Sequence, residues 1–384
     1  MSTAIYAYPW SFHDVDDAVA RVRALGASEL TLAVSYHAGK FIQPGDSKSR
    51  VYFPEDGTVY FRPRKTYGDV QPKVSALTAE RDVLAAFCAS GDIGVNAWIV
   101  LNHNTRLGME WPELCVCNAF GDAYPYSLCP SQPRVRAYAV TLCTDVAEYY
   151  RVQSLLLETP GFLTYGHGFH HEFAQVPPNA WLDAMLGLCF CERCRDGARA
   201  AGIDADGLAG RVRAGVDGFL DGEAPAPTLD DWNATDPDLA AFHRFRCDVV
   251  TSLVVEIRAA VDQSIKVKVI STCQRPHATA YLEGHDLTAL DAVSDGLELP
   301  LYQPTSEAVL ADARYVLGCV AVGRTSVILR PGYPDMAREA DLIEALDGLK
   351  ALGFHDFAFY NLGLLRPANL RWLQRALIER VPNV

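Results

Sequence analysis

The sequence predicts an α/β fold, a (β/α)8 TIM barrel with long βα loops after strands two, three and four. Three observations carry that prediction. Eight short apolar, β-rich runs recur along the 384 residues, with amphipathic helical patterns between them. Most of the runs are nearly continuous in apolar character, as expected of parallel strands covered on both faces. No Gly-rich phosphate turn follows the first run, where the chain reads Tyr8-Pro9-Trp10-Ser11-Phe12, so a doubly wound dinucleotide fold is disfavoured.

In order, the predicted strands are Ala4–Tyr8, Glu29–Tyr36, Val95–Leu101, Ser154–Glu158, Ile265–Ser271, Gly296–Tyr302, Ser326–Arg330 and Phe357–Asn361. The fifth, with Lys266 and Lys268, alternates in character instead of running apolar throughout. Helical spacing predicts helices over His13–Leu25, Ala79–Ala89, Pro133–Tyr150 and Asp236–Asp262. The last four strands begin roughly every 30 residues, the length of a compact βα unit. Residues 1–384 are read as a single barrel domain with two insertions. Residues 37–78 hold two β-like runs, Val51–Phe53 and Thr58–Phe61, around a Pro-Glu-Asp-Gly turn, which predicts a hairpin lid. Residues 159–235 form the largest insertion, carry Cys and His clusters, and include a Gly218–Asp231 stretch that reads as a flexible surface excursion.

Composition narrows the function. The formal net charge is −13, with 34 Lys and Arg against 47 Asp and Glu and no basic run, so a nucleic-acid partner is not expected. The start has no basic n-region or long apolar h-region, and no apolar run approaches the ~18 residues of a membrane span. The chain therefore reads as soluble and cytoplasmic, with no membrane partner. Its oligomeric state is not legible. The eleven cysteines are expected as reduced core thiols, or as metal ligands where they cluster.

In a barrel of this kind the chemistry sits where the strands end. Those ends carry Tyr8 and Trp10, His37, His103 and Asn104, Glu158, Tyr302, Arg330 with Asp335 nearby, and Asn361. Aromatic rings that stack on sugar faces, with amides, imidazoles and a guanidinium for the hydroxyls, suit a small carbohydrate. Glu158 ends a Leu-Leu-Leu run, where a carboxylate is costly unless paired or used. Glu298 interrupts another apolar strand and is the natural second carboxylate. Such pairs stand about 5–5.5 Å apart for retention and about 6.5–9.5 Å for inversion. Asp335 and Glu172 are rival partners. The segment His167–Glu172 groups three imidazoles with a carboxylate, and His171 and Glu172 are candidate substrate contacts.

Cys189, Cys191 and Cys194 lie within six residues and could fill three corners of a structural zinc site. Cys115, Cys117, Cys129 and the loop histidines are the candidate fourth ligands. No organic cofactor is expected.

The stretch from Ser127 to Glu158, SLCPSQPRVRAYAVTLCTDVAEYYRVQSLLLE, resembles the approach to strand four in the hypothetical glycosyl-hydrolase families built on TIM barrels. The later CFCERCR resembles their Cys-x-Cys-x-x-Cys element in the loop after that strand. Together the motifs cover about a fifth of the 384 residues. The resemblance implies a nucleophile at the end of strand four and an acid/base on strand five or six, here Glu158 and Glu298. Those families carry Asp where this chain has Glu158. The expected function is that of a glycosidase acting on a small glycoside or oligosaccharide through paired carboxylates. A metal-assisted lyase, isomerase or hydrolase using the histidine loop is the first alternative, and a non-catalytic sugar-binding barrel the second. A Schiff-base aldolase using Lys266 or Lys268 is a weaker one.

Overall fold

The computed structural model describes residues 2–46, 48–167, 169, 171–222, 225–272 and 275–378. Eight strands close a parallel barrel: β1 (Thr3–Ala7), β2 (Glu29–Tyr36), β3 (Gly94–Val100), β4 (Ser154–Glu158), β5 (Lys266–Ile270), β6 (Leu297–Pro300), β7 (Ser326–Leu329) and β8 (Asp356–Phe359). Each pairs with its sequence neighbour, and β8 returns to β1 with Phe357 opposite Thr3. The fold is the predicted TIM barrel, and each predicted strand lies within two residues of an observed one.

The apolar runs form strands here because both of their faces are buried. In β1, Ile5 and Ala7 pack outward into the core shared with the helices, while Ala4 and Tyr6 point into the barrel. The same alternation sends Leu155 and Leu157 outward and Leu156 inward in β4, so Glu158, on the parity of Leu156, faces the interior. In β6 it sends Leu297 and Leu299 outward and leaves Glu298 inside.

Polar caps set the helix starts. Asp14 and Asp236 cap the helices Val15–Ala24 and Pro237–Ala260, and Pro133 occupies the first turn of Pro133–Tyr149. The predicted helix Ala79–Ala89 is instead two helices, Ala76–Glu80 and Val83–Ser90. The Asp82 carboxylate accepts from the Ala85 amide, starting a new helix where sequence periodicity alone reads a continuous one.

The expected hairpin pairs differently. Val51–Tyr52 pairs with Phe41–Ile42, while Thr58–Val59 pairs antiparallel with Ser35–Tyr36 at the top of β2. Thr58 and Val59 are buried there, and burial, not proximity across the Pro54–Gly57 turn, decides the partner. The insertion after β4 packs helices Ala180–Leu186, Glu192–Ala200 and Ala205–Leu220 around its own apolar cluster, including Trp181, Met185 and Phe190. Of the expected excursion, Gly218–Leu220 ends a helix and Leu229–Asp231 starts another; residues 223–224 lie outside the described set. No described helix is long and apolar enough to cross a membrane.

Candidate active site

A cavity of about 160 Å³ opens at the C-terminal ends of the strands, lined by residues that include Tyr6, Trp98, Glu158, Tyr302, Arg330 and Tyr360. A larger one of about 550 Å³ lies at the opposite mouth. Chemistry in this fold belongs to the C-terminal face, so the smaller cavity is the candidate site, roomy enough for about one sugar ring.

Glu158 is held there by the β3–β4 junction. The Leu101 amide donates to the Glu158 carbonyl at 3.0 Å, and the Asn102 amide to that of Thr159 at 3.1 Å. The Asn102 side chain then ties down the Pro160 and Gly161 carbonyls. The indole N–H of Trp98 donates to Glu158 Oε2, fixing the carboxylate among the rings.

Glu298 does not line this pocket. It is the first inward-facing residue of β6, two inward positions below Tyr302, and it lines the opposite mouth with Lys268 and Ser326. Its Oε1 accepts from the Tyr6 hydroxyl at 2.5 Å and its Oε2 from Ser326 at 2.8 Å. Tyr6 itself lines the pocket with Glu158, so Tyr6 stands between the two carboxylates. Burial first, then the Glu298 charge, hold the Tyr6 phenol well above its ordinary range, so the proton stays on Tyr6 and is donated downward.

Several expected contacts prove to be scaffold. Trp10 is stacked on Tyr8 at 4.4 Å and on Tyr52 at 4.9 Å, near-parallel to both. Both its faces are covered, which corrects its reading as a sugar platform. Tyr8 is fully buried, with its hydroxyl bonded to those of Tyr36 and Tyr360. Asn104 caps the helix Thr105–Glu110 by accepting from the Leu107 amide, so its side chain is engaged away from the pocket. Asn361 is buried, accepting from the Gly363 amide. Asp335 is not in the lining; it binds Arg330 at 2.5 Å and reaches Arg275 at 3.8 Å. His171 and Glu172 are exposed on the loop after β4, where Glu172 accepts from the Phe169 amide. His170 of the same segment lies outside the described residues.

His37 and His103 stack beside the site, and His167 meets the His103 ring edge-on. The first two rings lie 4.0 Å apart, and His167 Nε2 meets His103 Nδ1 at 3.2 Å. Burial pulls His37 and His167 down to about 4 and His103 further still, so the stack is neutral at pH 7. Among the described residues these imidazoles do not form a metal cluster. Lys266 and Lys268 line the N-terminal mouth, away from Glu158, which counts against the aldolase idea.

Sequence reasoning missed Tyr6, Trp98 and Arg275. The first two are hidden inside apolar strands, detectable only by counting inward positions back from the strand end. Arg275 has no local signal. Ser271, His277 and Asp312 make a chain of bonds, His277 to Ser271 Oγ at 2.9 Å and to Asp312 at 2.7 Å. Ser271 is fully buried, so this Ser-His-Asp arrangement is structural.

The cysteine cluster is completed by Cys129. Its sulfur lies 3.7 Å from those of Cys189 and Cys191 and 3.5 Å from that of Cys194. All four are buried, with sulfurs within 4.8 Å of one another, a group able to hold a metal ion. Among the described residues, Cys115, Cys117, His167 and His171 stay outside it, and the described cysteines form no disulfide. Hydrogen bonds from Cys129 above all, then Cys189 and Cys194, pull the Cys191 thiol strongly down, while burial pushes Cys129 up. The cluster joins the loop after β3 to the insertion after β4.

No family model matches the chain, and no curated protein matches its sequence. Solved structures do share its fold. The glycoside hydrolase domain of PgaB (BpsB) from Bordetella bronchiseptica superposes with a TM-score of 0.64 at 12% identity, over 98% of this chain and 99% of that one. Alpha-L-fucosidase isoenzyme 2 from Paenibacillus thiaminolyticus gives 0.57 at 12%, over 99% of this chain and 49% of the other. Beta-galactosidase from Bacillus circulans sp. alkalophilus gives 0.56 at 10%, over 98% and 55%. The chain thus spans about half the length of the fucosidase and the galactosidase.

Proposed function

We propose that the protein is a glycoside hydrolase acting on a small glycoside, with Glu158 as its acid/base. The observation that carries this reading is the placing of one carboxylate, Glu158, among Tyr6, Trp98, Tyr302 and Tyr360 in a one-ring cavity at the C-terminal face. The names of the three barrels of like fold, all glycoside-cleaving, support it. Glu158 gives its proton to the leaving oxygen as the glycosidic bond breaks. Glu298 acts through Tyr6: the carboxylate and the phenol bonded to it hold negative charge beneath the ring as positive charge develops at the anomeric carbon. Water then adds to that carbon and its proton returns to Glu158. The test is turnover of a panel of aryl glycosides by wild type and Glu158→Gln. We expect Glu158→Gln to lose about a hundredfold or more with an unchanged melting temperature; equal turnover overturns the assignment.

The four cysteines are assigned to structural zinc. Tetrahedral zinc with bonds of about 2.3 Å sets its sulfurs about 3.8 Å apart, close to the 3.5–3.7 Å separations from Cys129. Four sulfur ligands leave no open position, so the metal would staple loops and take no part in the chemistry.

A further inference from the structure

Two guanidinium groups line the proposed pocket, although the chain as a whole carries a net charge of −13. Arg330 follows β7 and sits 4.3 Å from the Tyr302 ring centroid; Arg275, from the loop after β5, sits 5.0 Å from it. Both are held from behind. Arg275 donates to the Tyr302 carbonyl at 2.7 Å, and Asp335, only 8% exposed in its side chain, pairs with both. Asp335 neutralises one of the two charges, so the wall formed beyond β5 to β7 keeps a net positive charge. Among the described residues only Nε of Arg330 has a side-chain acceptor, and the guanidinium belongs to the pocket lining. Glu158 stands on the β3–β4 side and, among the described residues, is the sole carboxylate of the lining. The pocket is therefore polarised across the width of one ring. A neutral sugar needs no cation pair; a planar carboxylate is the group whose geometry a guanidinium fork matches.

We propose that the ring bound in this pocket is an acidic sugar, a uronic acid residue whose carboxylate lies against Arg330 and Arg275 while its glycosidic oxygen faces Glu158. This rests on the glycosidase reading and narrows it. Electrostatic selection of this kind discriminates against neutral isosteres, because they leave the positive charge that Asp335 does not neutralise without a counter-charge in the pocket.

The experiment measures binding and turnover separately. Binding of glucuronate and galacturonate, with glucose and galactose as neutral matches, is followed by titration calorimetry for wild type, Arg330→Gln and Arg330→Lys. Turnover is followed with 4-nitrophenyl glucuronides and galacturonides of both anomers beside the corresponding neutral glycosides. A uronate should bind at least about tenfold tighter than its neutral match. The preference should vanish in Arg330→Gln, recover partly in Arg330→Lys and weaken with salt. Neutral sugars binding as well as uronates, neither binding, or a uronate preference indifferent to Arg330→Gln in a folded variant, each overturns the proposal. Uronate-selective binding with no turnover would sustain it and sink the hydrolase reading. Turnover of neutral glycosides without uronate preference would do the reverse.

Discussion

The Tyr6 hydroxyl donates to Glu298 Oε1 at 2.5 Å, and this bond joins the lower layer of the barrel to the pocket above it. A buried carboxylate with two donors, Tyr6 and Ser326, tolerates losing one at a cost of about 1–3 kcal/mol. Tyr6→Phe keeps the ring that packs against Trp98 at 5.2 Å and removes only the donor. We expect it to lower kcat about tenfold or more and to lower stability modestly.

Because Glu298 reaches the pocket through Tyr6, the two substitutions should not add. Glu298→Gln in the wild-type background should lower kcat, while in a Tyr6→Phe background it should lower it little further. Losses that multiply would mean that Glu298 meets the substrate directly, as the sequence suggested. The double-mutant cycle in kcat decides between the two.

Much of the fold was legible because parallel strands buried on both faces leave continuous apolar runs, and Ser154–Glu158 is such a run with a carboxylate at its end. That made Glu158 legible as well. Glu298 was legible as an inward charge but not by depth. Parity gives the face of a strand, whereas the layer depends on the stagger between strands, here Ile270 opposite Glu298 and Glu298 opposite Ser326. Trp10 misled because its second stacking partner, Tyr52, belongs to a hairpin more than forty residues on. Asn104 could have been read as a helix cap, since Asn followed by a helical turn is that signal. Cys129 stands 60 residues before Cys189, and no local spacing chooses it over Cys115 or Cys117.

The cysteine cluster predicts a metal content. Purified protein should carry one zinc per chain, measured by inductively coupled plasma mass spectrometry. Cys129→Ser or Cys194→Ser should lose it and lower the melting temperature, since metal binding energy is folding energy here. Cys115→Ser, which lies outside the cluster, should keep it. A zinc-free wild type with full thermal stability would remove the assignment.

The histidine stack predicts an acid-side loss of stability. His37 and His167 sit at about 4 when folded, below the free imidazole's ordinary value of about 6.5. Between those values the unfolded chain binds more protons than the folded one. Their contribution is therefore complete above about pH 6.5 and is lost as pH falls toward 4. The melting temperature should drop by several degrees between pH 6.5 and 4.5, and less in a His37→Gln/His167→Gln double variant. His103, and His285, also near 4 through burial, remain in both proteins, so the difference isolates His37 and His167. Parallel curves would show that these rings titrate freely.

Trp10 separates scaffold from binding. Its indole is held between Tyr8 and Tyr52, near-parallel to each, and is 4% exposed. Removing it opens a cavity and unpins the hairpin that carries Tyr52. Trp10→Leu should cost about 3 kcal/mol, in the range of large-to-small core changes, seen as a lower urea midpoint. If the ring only supports the pocket, KM for the best aryl glycoside should change little at a temperature where the variant is folded. If a sugar instead displaces Tyr52 to stack on the indole, KM should rise at least tenfold while stability falls much less. The ratio of the two effects in this one variant distinguishes a pillar from a platform.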